Sequence, residues 1–320
     1  MKRITILLLL SALVFSCSKN TPPVIEYFVA EPDSVFPGDT VTITFRVSDA
    51  DGDGIHYMLG KSSGTWGTGF GSIEPTTWIA PKEPGDYYLT LMIGDLSDQV
   101  TDSVLIHVMD TMGFFTDARD GHLYKWVKIG RQIWMGENLS FLPSVAPVTD
   151  GSTPGKHYFV PGYWGRIVRE AKEIDHYKIY GVMYNWEAAL SACPGGWHLP
   201  SDEEWIELEL YLGMYDTEVV YTGWRKTGQV GGKLKQKGND FWNTPNSDAT
   251  NSTGFTALPA GWIGPDGASV GPGSDAMFWS SSSDSLLDVW YRRLWSYWSK
   301  VERAGINQRE SLTVRCLKDE

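Results

Sequence analysis

The chain has 320 residues, a formal net charge of -12 and 42% hydrophobic residues. That length favours two domains over one, and the acidic balance repels phosphate backbones, so no nucleic-acid partner is expected. Fifteen Trp and fifteen Tyr predict an aromatic-rich core, with some rings left over to stack on sugars or partner surfaces.

Met1-Lys2-Arg3 is followed by an apolar run from Ile4 to Phe15. A basic start, a short apolar core and a small residue before the cut make up a secretory leader, here residues 1–16. About 12 apolar residues are too few to cross a bilayer as a helix, which needs roughly 20. Val14-Phe15-Ser16-Cys17 resembles a lipobox, with Val where Leu is usual and Ser where Gly or Ala is usual. The resemblance implies lipid attachment at Cys17. It also implies an outer-membrane protein held through its N-terminal lipid, facing the periplasm or the cell surface. Loss of Lys2 and Arg3 with the leader makes the mature chain more negative still. Residues 17–23, polar and carrying Pro22-Pro23, read as a lipidated tether.

Residues 24–110 alternate with a period of two. Val41, Ile43, Phe45 and Val47 share one face, as do Tyr87, Leu89, Leu91 and Ile93, and Val104 to Val108 closes the segment. Such alternation marks half-buried strands. Turns fall at Pro37-Gly38-Asp39, at 49–54 and at Pro84-Gly85-Asp86, and the spacing predicts an antiparallel β-sandwich. The turn-strand at 37–42, the Asp-rich turn at 49–54, Trp78-Ile79-Ala80-Pro81, Gly85-Asp86-Tyr87 and Gly94-Asp95 resemble immunoglobulin-like domains of the PKD type. Asp49, Asp51, Asp53 and Gly54 also match the opening of an EF-hand loop, whose carboxylates would hold calcium. Position twelve is Gly60 instead of Glu, and no helical pattern flanks the loop. A hydrated turn is the preferred reading, calcium the alternative. No other cofactor is indicated. A spacer role fits this domain.

Met109 to Ala118 lacks periodicity, and the domain boundary is placed near Asp110 to Met112. The second domain, residues 113–320, opens with strands punctuated by Asp120-Gly121 and Gly130-Arg131. Residues 140–178, with four prolines, read as a long loop. Asn185 caps a predicted helix whose Trp186, Ala189, Leu190 and Cys193 form one apolar face, and Pro194-Gly195-Gly196 stops it. A second helix begins at a capping box of Ser201 and Glu204. Asp202, Glu203 and Glu204 gather at the positive end of its dipole, and Trp205, Leu208 and Leu212 form its buried stripe. Short strands and loops complete an α+β domain.

The second domain resembles the Fibrobacter succinogenes major paralogous domain, found in exported proteins of that bacterium and of Bacteroidetes. The carriers are Ile129-Gly130…Gln132-Ile133-Trp134-Met135…Glu137-Asn138-Leu139, Tyr180-Gly181…Tyr184-Asn185-Trp186, Cys193-Pro194…Trp197-His198-Leu199-Pro200-Ser201…Glu204-Trp205, Gly254 to Gly261, Phe278-Trp279-Ser280-Ser281 and Val314-Arg315-Cys316. The resemblance implies a C-type-lectin-like fold and a disulfide from Cys193 to Cys316. The calcium-dependent sugar motifs of that fold do not carry over, since Trp242-Asn243-Thr244-Pro245-Asn246 replaces them. The six His show no zinc spacing, and no catalytic residue is assigned. Taken together, these features predict a multidomain protein: an all-β immunoglobulin-like sandwich, then a C-type-lectin-like head. The head is expected to bind a glycan or protein without catalysis, as in adhesion, through loops 140–178 and 223–252. Trp164, Trp224 and Trp242 are the candidate binding rings. A structural envelope component without a ligand, or an extracytoplasmic enzyme, are the rival readings.

Overall fold

The computed structural model describes residues 20–67, 76–284 and 288–319. The expected leader and the lipid site at Cys17 lie outside the described residues. The chain divides into two compact units between Asp110 and Thr111.

The first unit contains β1 (Val24–Glu31), β2 (Ser34–Val35), β3 (Thr40–Ser48), β4 (His56–Lys61), β5 (Thr65–Trp66), β6 (Thr76–Ile79), β7 (Gly85–Gly94) and β8 (Gln99–Val108). They form two four-stranded sheets, ordered β1-β3-β6-β5 and β2-β8-β7-β4. Val41, Ile43, Leu89, Leu91, Ile93, Ile106 and Val108 are buried in one cluster, on the faces that the alternation assigns to them. Trp78 is fully buried and its indole N–H donates to the Ser63 carbonyl at 2.8 Å. Its burial, worth roughly 3 kcal/mol, therefore strands no donor.

The end of the expected tether is docked on this unit. Asn20 donates to Asp95 and Asp98, and the Thr21 amide donates to Asp51. The Asp49 carboxylate accepts the amides of Asp51 and Asp53 at 2.9 and 3.1 Å, which closes the loop as an Asx turn. Asp49 and Asp51 thus serve backbone donors, and among the described residues no group of three or more His, Cys, Asp or Glu is placed to hold a metal ion.

The second unit opens with a meander of β9 (Met112–Thr116), β10 (Leu123–Ile129) and β11 (Gln132–Met135). The stretch read as loop contains β12 (Tyr158–Phe159), α1 (Val168–Ala171) and most of α2 (Asp175–Tyr180). Then come β13 (Met183–Asn185), α3 (Trp186–Ala189), β14 (Trp197–His198), α4 (Asp202–Tyr211), α5 (Asp216–Val219), β15 (Gly223–Arg225) and α6 (Val230–Leu234). The chain finishes with β16 (Trp262–Ile263), β17 (Ser269–Val270), β18 (Asp275–Ser283), β19 (Asp288–Trp295), β20 (Val301–Asn307), β21 (Ser311–Thr313) and β22 (Leu317–Lys318). One sheet is ordered β14-β22-β11-β10-β9; a larger one runs β12-β13-β21-β18-β19-β20-β15.

The capping box of Ser201 and Glu204 starts α4 as its sequence predicts. Trp205, Leu208 and Leu212 pack against Trp134, Phe255, Phe278 and Leu294. The preceding helix differs from expectation. Asn185 does cap it, but α3 is a single turn. The chain leaves the helix after Ala189, so Leu190 turns out to solvent while Ala188, Ala189 and Ala192 are buried. Cys193 and Cys316 are disulfide-bonded, with Cα atoms 5.9 Å apart and 123 positions between them in sequence. Closing so long a loop restricts the unfolded chain by about 5 kcal/mol on the entropy model.

Candidate binding site

Successive side chains of a strand point to opposite faces, and β19 uses this to separate two neighbouring arginines. Arg292 faces the core. Its Nε donates to Glu209 and its Nη1 to Asp202, each at 2.7 Å. Arg225 grips Glu209 through two nitrogens at 2.6 and 2.7 Å, and Arg303 grips Asp202 at 2.6 Å. Three guanidiniums and two carboxylates thus fasten α4 to β15, β19 and β20. Burial opposes ionisation of Asp202, but Arg303 and Arg292 outweigh it and hold the carboxyl below its usual range.

Arg293 faces the other way. Its Nε donates to Asp275 at 2.6 Å, and its Nη1 lies 3.4 Å from Glu302. The guanidinium carbon is 5.3 Å from the Trp262 ring centre and 5.6 Å from that of Trp224. Trp224 pairs across the sheet with Glu302, whose carboxylate also accepts from the Tyr291 hydroxyl at 3.1 Å. Burial pushes the Asp275 carboxyl up, and Arg293 offsets only some of this.

The rings continue into the hairpin between β19 and β20. Trp298 meets Trp224 edge-on at 5.0 Å and Trp295 at 4.9 Å, and Tyr297 is 4.9 Å from Trp295. The Lys300 ammonium lies 4.1 Å above Trp298. A half-exposed band of aromatic rings, interleaved with arginine, lysine and carboxylate, therefore crosses this face. Flat rings stack on the apolar side of a sugar, and the charged groups between them can take hydroxyl hydrogen bonds.

The hairpin is held from beneath. Lys235 is fully buried and donates to the carbonyls of Ser247, Trp295 and Trp298 at 3.0–3.1 Å. Burial lowers its pKa to about 8, with Asp248 opposing. The Ser247 hydroxyl donates to the Tyr297 carbonyl at 2.8 Å. Gly231 and Gly232 of α6 let the backbones come close. A Cβ at Gly231 would strike the carbonyls of Lys300 and Ser299, and one at Gly232 the Asp248 carbonyl. Every non-glycine residue with positive φ among the described residues lies between positions 229 and 256: Gln229, Asn246, Asp248, Asn251 and Thr256. Such backbone strain concentrates where loops are held for recognition.

Of the three rings singled out from the sequence, Trp224 belongs to this band. Trp164 is 69% exposed and lies outside it. Trp242 is a correction: it is 1% exposed, its indole N–H donates to the Ala257 carbonyl at 3.0 Å, and it packs in the core. Sequence reasoning missed Trp262, Arg293, Trp295 and Trp298. Three aromatics in four positions, Trp295-Ser296-Tyr297-Trp298, were the available signal.

Residues 127–318, more than half of the chain, match the Fibrobacter succinogenes major domain. The chain belongs to the Fibrobacter succinogenes major domain family. No curated protein matches this chain. Among solved structures, the Yersinia pseudotuberculosis adhesin InvE is similar at 12% identity, covering 91% of this chain and 96% of that one, with a TM-score of 0.22. A likeness that weak carries no argument.

The matched Fibrobacter succinogenes major domain holds a second concave site, a hollow of about 180 Å³ lined by His198, Glu204, Glu207, Asp319, Arg131 and Lys318, among others. His198 Nδ1 is 2.6 Å from Asp319 and Nε2 is 2.9 Å from Glu204. Burial works against the imidazolium, but the two carboxylates prevail and raise the His198 pKa. With both nitrogens clamped, the ring braces β14 against α4. None of the residues lining the hollow is Ser, Thr or Cys. Gly267-Ala268-Ser269-Val270-Gly271 has the spacing of a nucleophile elbow, a motif that sequence reasoning wrongly counts as absent. Ser269 is exposed on β17 in a β-hairpin, whereas that motif needs a strand-to-helix turn. No helix among the described residues is long and apolar enough to cross a membrane.

Proposed function

We propose that this protein is a lipid-anchored envelope protein that binds a glycan or protein partner without catalysis. In this reading Cys17 carries the anchor on the outer membrane. The first unit is an immunoglobulin-like domain of the PKD type that acts as a spacer. The second is a C-type-lectin-like head. The two four-stranded sheets of the first unit and the Cys193–Cys316 bridge of the second support this reading. The aromatic and charged band through Trp262, Arg293, Trp224 and Trp298 carries the binding reading. Rings held half-exposed beside fixed charges raise affinity without losing side-chain freedom on binding. Capture assays of the full chain on immobilised polysaccharides and envelope extracts test it. Specific capture that weakens in Trp224→Ala supports the reading; no capture from either source contradicts it.

A further inference from the structure

Beside the aromatic band, an open groove of about 450 Å³ runs between the β19–β20 hairpin and the loop at Ser247 and Asp248. One wall carries Tyr297 and Trp298, which are 53% and 37% exposed. Lys226 and Lys300 line the same groove. Among the described residues no carboxylate is in ion-pair contact with either ammonium. Glu218 feels the Lys226 charge, but its carboxylate accepts the backbone amides of Lys226 and Thr227. Asp248 is the acid in the lining, and it is offset by the buried Lys235 ammonium, with which it interacts. The lining thus carries two cations, Lys226 and Lys300, against one acid, Asp248, in a chain whose net charge is -12. Gln229 and Asp248, both in the groove wall, are left-handed non-glycine residues, and the walls meet on Gly231 and Gly232. The groove is thus set in shape before anything binds.

We propose that this groove binds an acidic polysaccharide, with a pyranose ring stacked on Tyr297 and a uronate carboxylate drawn to Lys226 and Lys300. The proposal deepens the binding reading above and rests on it. Two observations together select this chemistry. An aromatic platform takes the flat apolar side of a sugar ring. Two ammoniums, neither in contact with a carboxylate, favour an anion; the Lys300 ammonium lies over the Trp298 ring, which leaves the more exposed Tyr297 to take the sugar. A neutral glycan uses the rings and leaves the charge unanswered; an acidic peptide does the reverse.

The test is titration of the full chain with three polymers at low and at physiological salt: polygalacturonate, its fully methyl-esterified form, and polyglutamate. Polygalacturonate is expected to bind on the order of tenfold more tightly than the ester, with the advantage shrinking as salt screens the pairing. The double variant Lys226→Gln/Lys300→Gln should remove that advantage, and Tyr297→Ala should weaken both acid and ester. Near-ultraviolet circular dichroism checks that each variant is folded. Equal affinity for acid and ester overturns the charge assignment while leaving glycan binding intact. Polyglutamate binding as tightly as polygalacturonate shows that charge alone suffices and overturns the stacking. Failure to bind any of these and any neutral glycan or envelope protein sinks this proposal and the binding reading together.

Discussion

Arg292 and Arg293 are neighbours on one strand with opposite roles. Arg292 is buried and donates to Asp202 and Glu209. Arg293 is partly exposed between Trp262 and Trp224. The same side chain fastens a helix on one face of β19 and sits among half-exposed rings on the other, the face proposed for binding. Burial decides which. A buried guanidinium that loses its carboxylate has no water to turn to, whereas the partly exposed Arg293 keeps some hydration even while it pairs with Asp275. Conspicuous charge in this protein is therefore not evidence of function until its side of the sheet is known.

The sharpest way to break that contrast is Glu209→Ala, which leaves Arg225 and Arg292 facing one another without their shared acid. A loss of about 3–5 kcal/mol in urea unfolding is expected. Arg293→Lys, by contrast, keeps a cation beside the buried Asp275 and should cost clearly less than Glu209→Ala in the same experiment, while the loss of its planar guanidinium weakens ligand capture. Equal destabilisation by the two would erase the distinction. Replacing Cys193 and Cys316 with Ser is expected to cost about 2–5 kcal/mol, seen as a lower unfolding midpoint that reductant reproduces in the parent protein.

Gly232→Ala sharpens the comparison at the groove. The new methyl meets the Asp248 carbonyl, and overpacking of this kind costs about 1–3 kcal/mol. Ligand affinity should fall with it, because the wall must shift. The smallest effect belongs to His198. Its folded pKa is raised above the ordinary 6.5, so the clamps by Glu204 and Asp319 stabilise fully below that value and are lost as pH rises through the raised one. The exposed ring limits this to under about 1 kcal/mol. Melting curves of His198→Gln and the parent should therefore differ below pH 6.5 and converge at alkaline pH.

Local patterning made much of the fold legible. The alternation at Val41 to Val47 and Tyr87 to Ile93 placed the buried faces, and Ser201 with Glu204 marked the start of α4. Leu190 shows where this stopped: helical spacing cannot say how many turns a helix completes. The site was harder to read because its members come from distant strands. Trp224, Trp262, Arg293 and Trp298 meet only after β15, β19 and β20 pair and β16 folds alongside. Asp202 looked like a helix-dipole acid, and nothing nearby announced that Arg292 and Arg303, about a hundred positions on, would reach it. Trp242 and Trp224 are equally conspicuous in the chain, and only burial separates them.

Tryptophan fluorescence during titration with a polysaccharide captured by the protein tests the central claim most directly, using Trp224→Ala beside Trp164→Ala. Removing Trp224 is predicted to weaken binding on the order of tenfold, as the loss of a ring anchoring an interface does, while removing the isolated Trp164 leaves affinity unchanged. The reverse pattern, with Trp164 essential and Trp224 dispensable, would contradict the placement of the binding face on β15, β19 and β20.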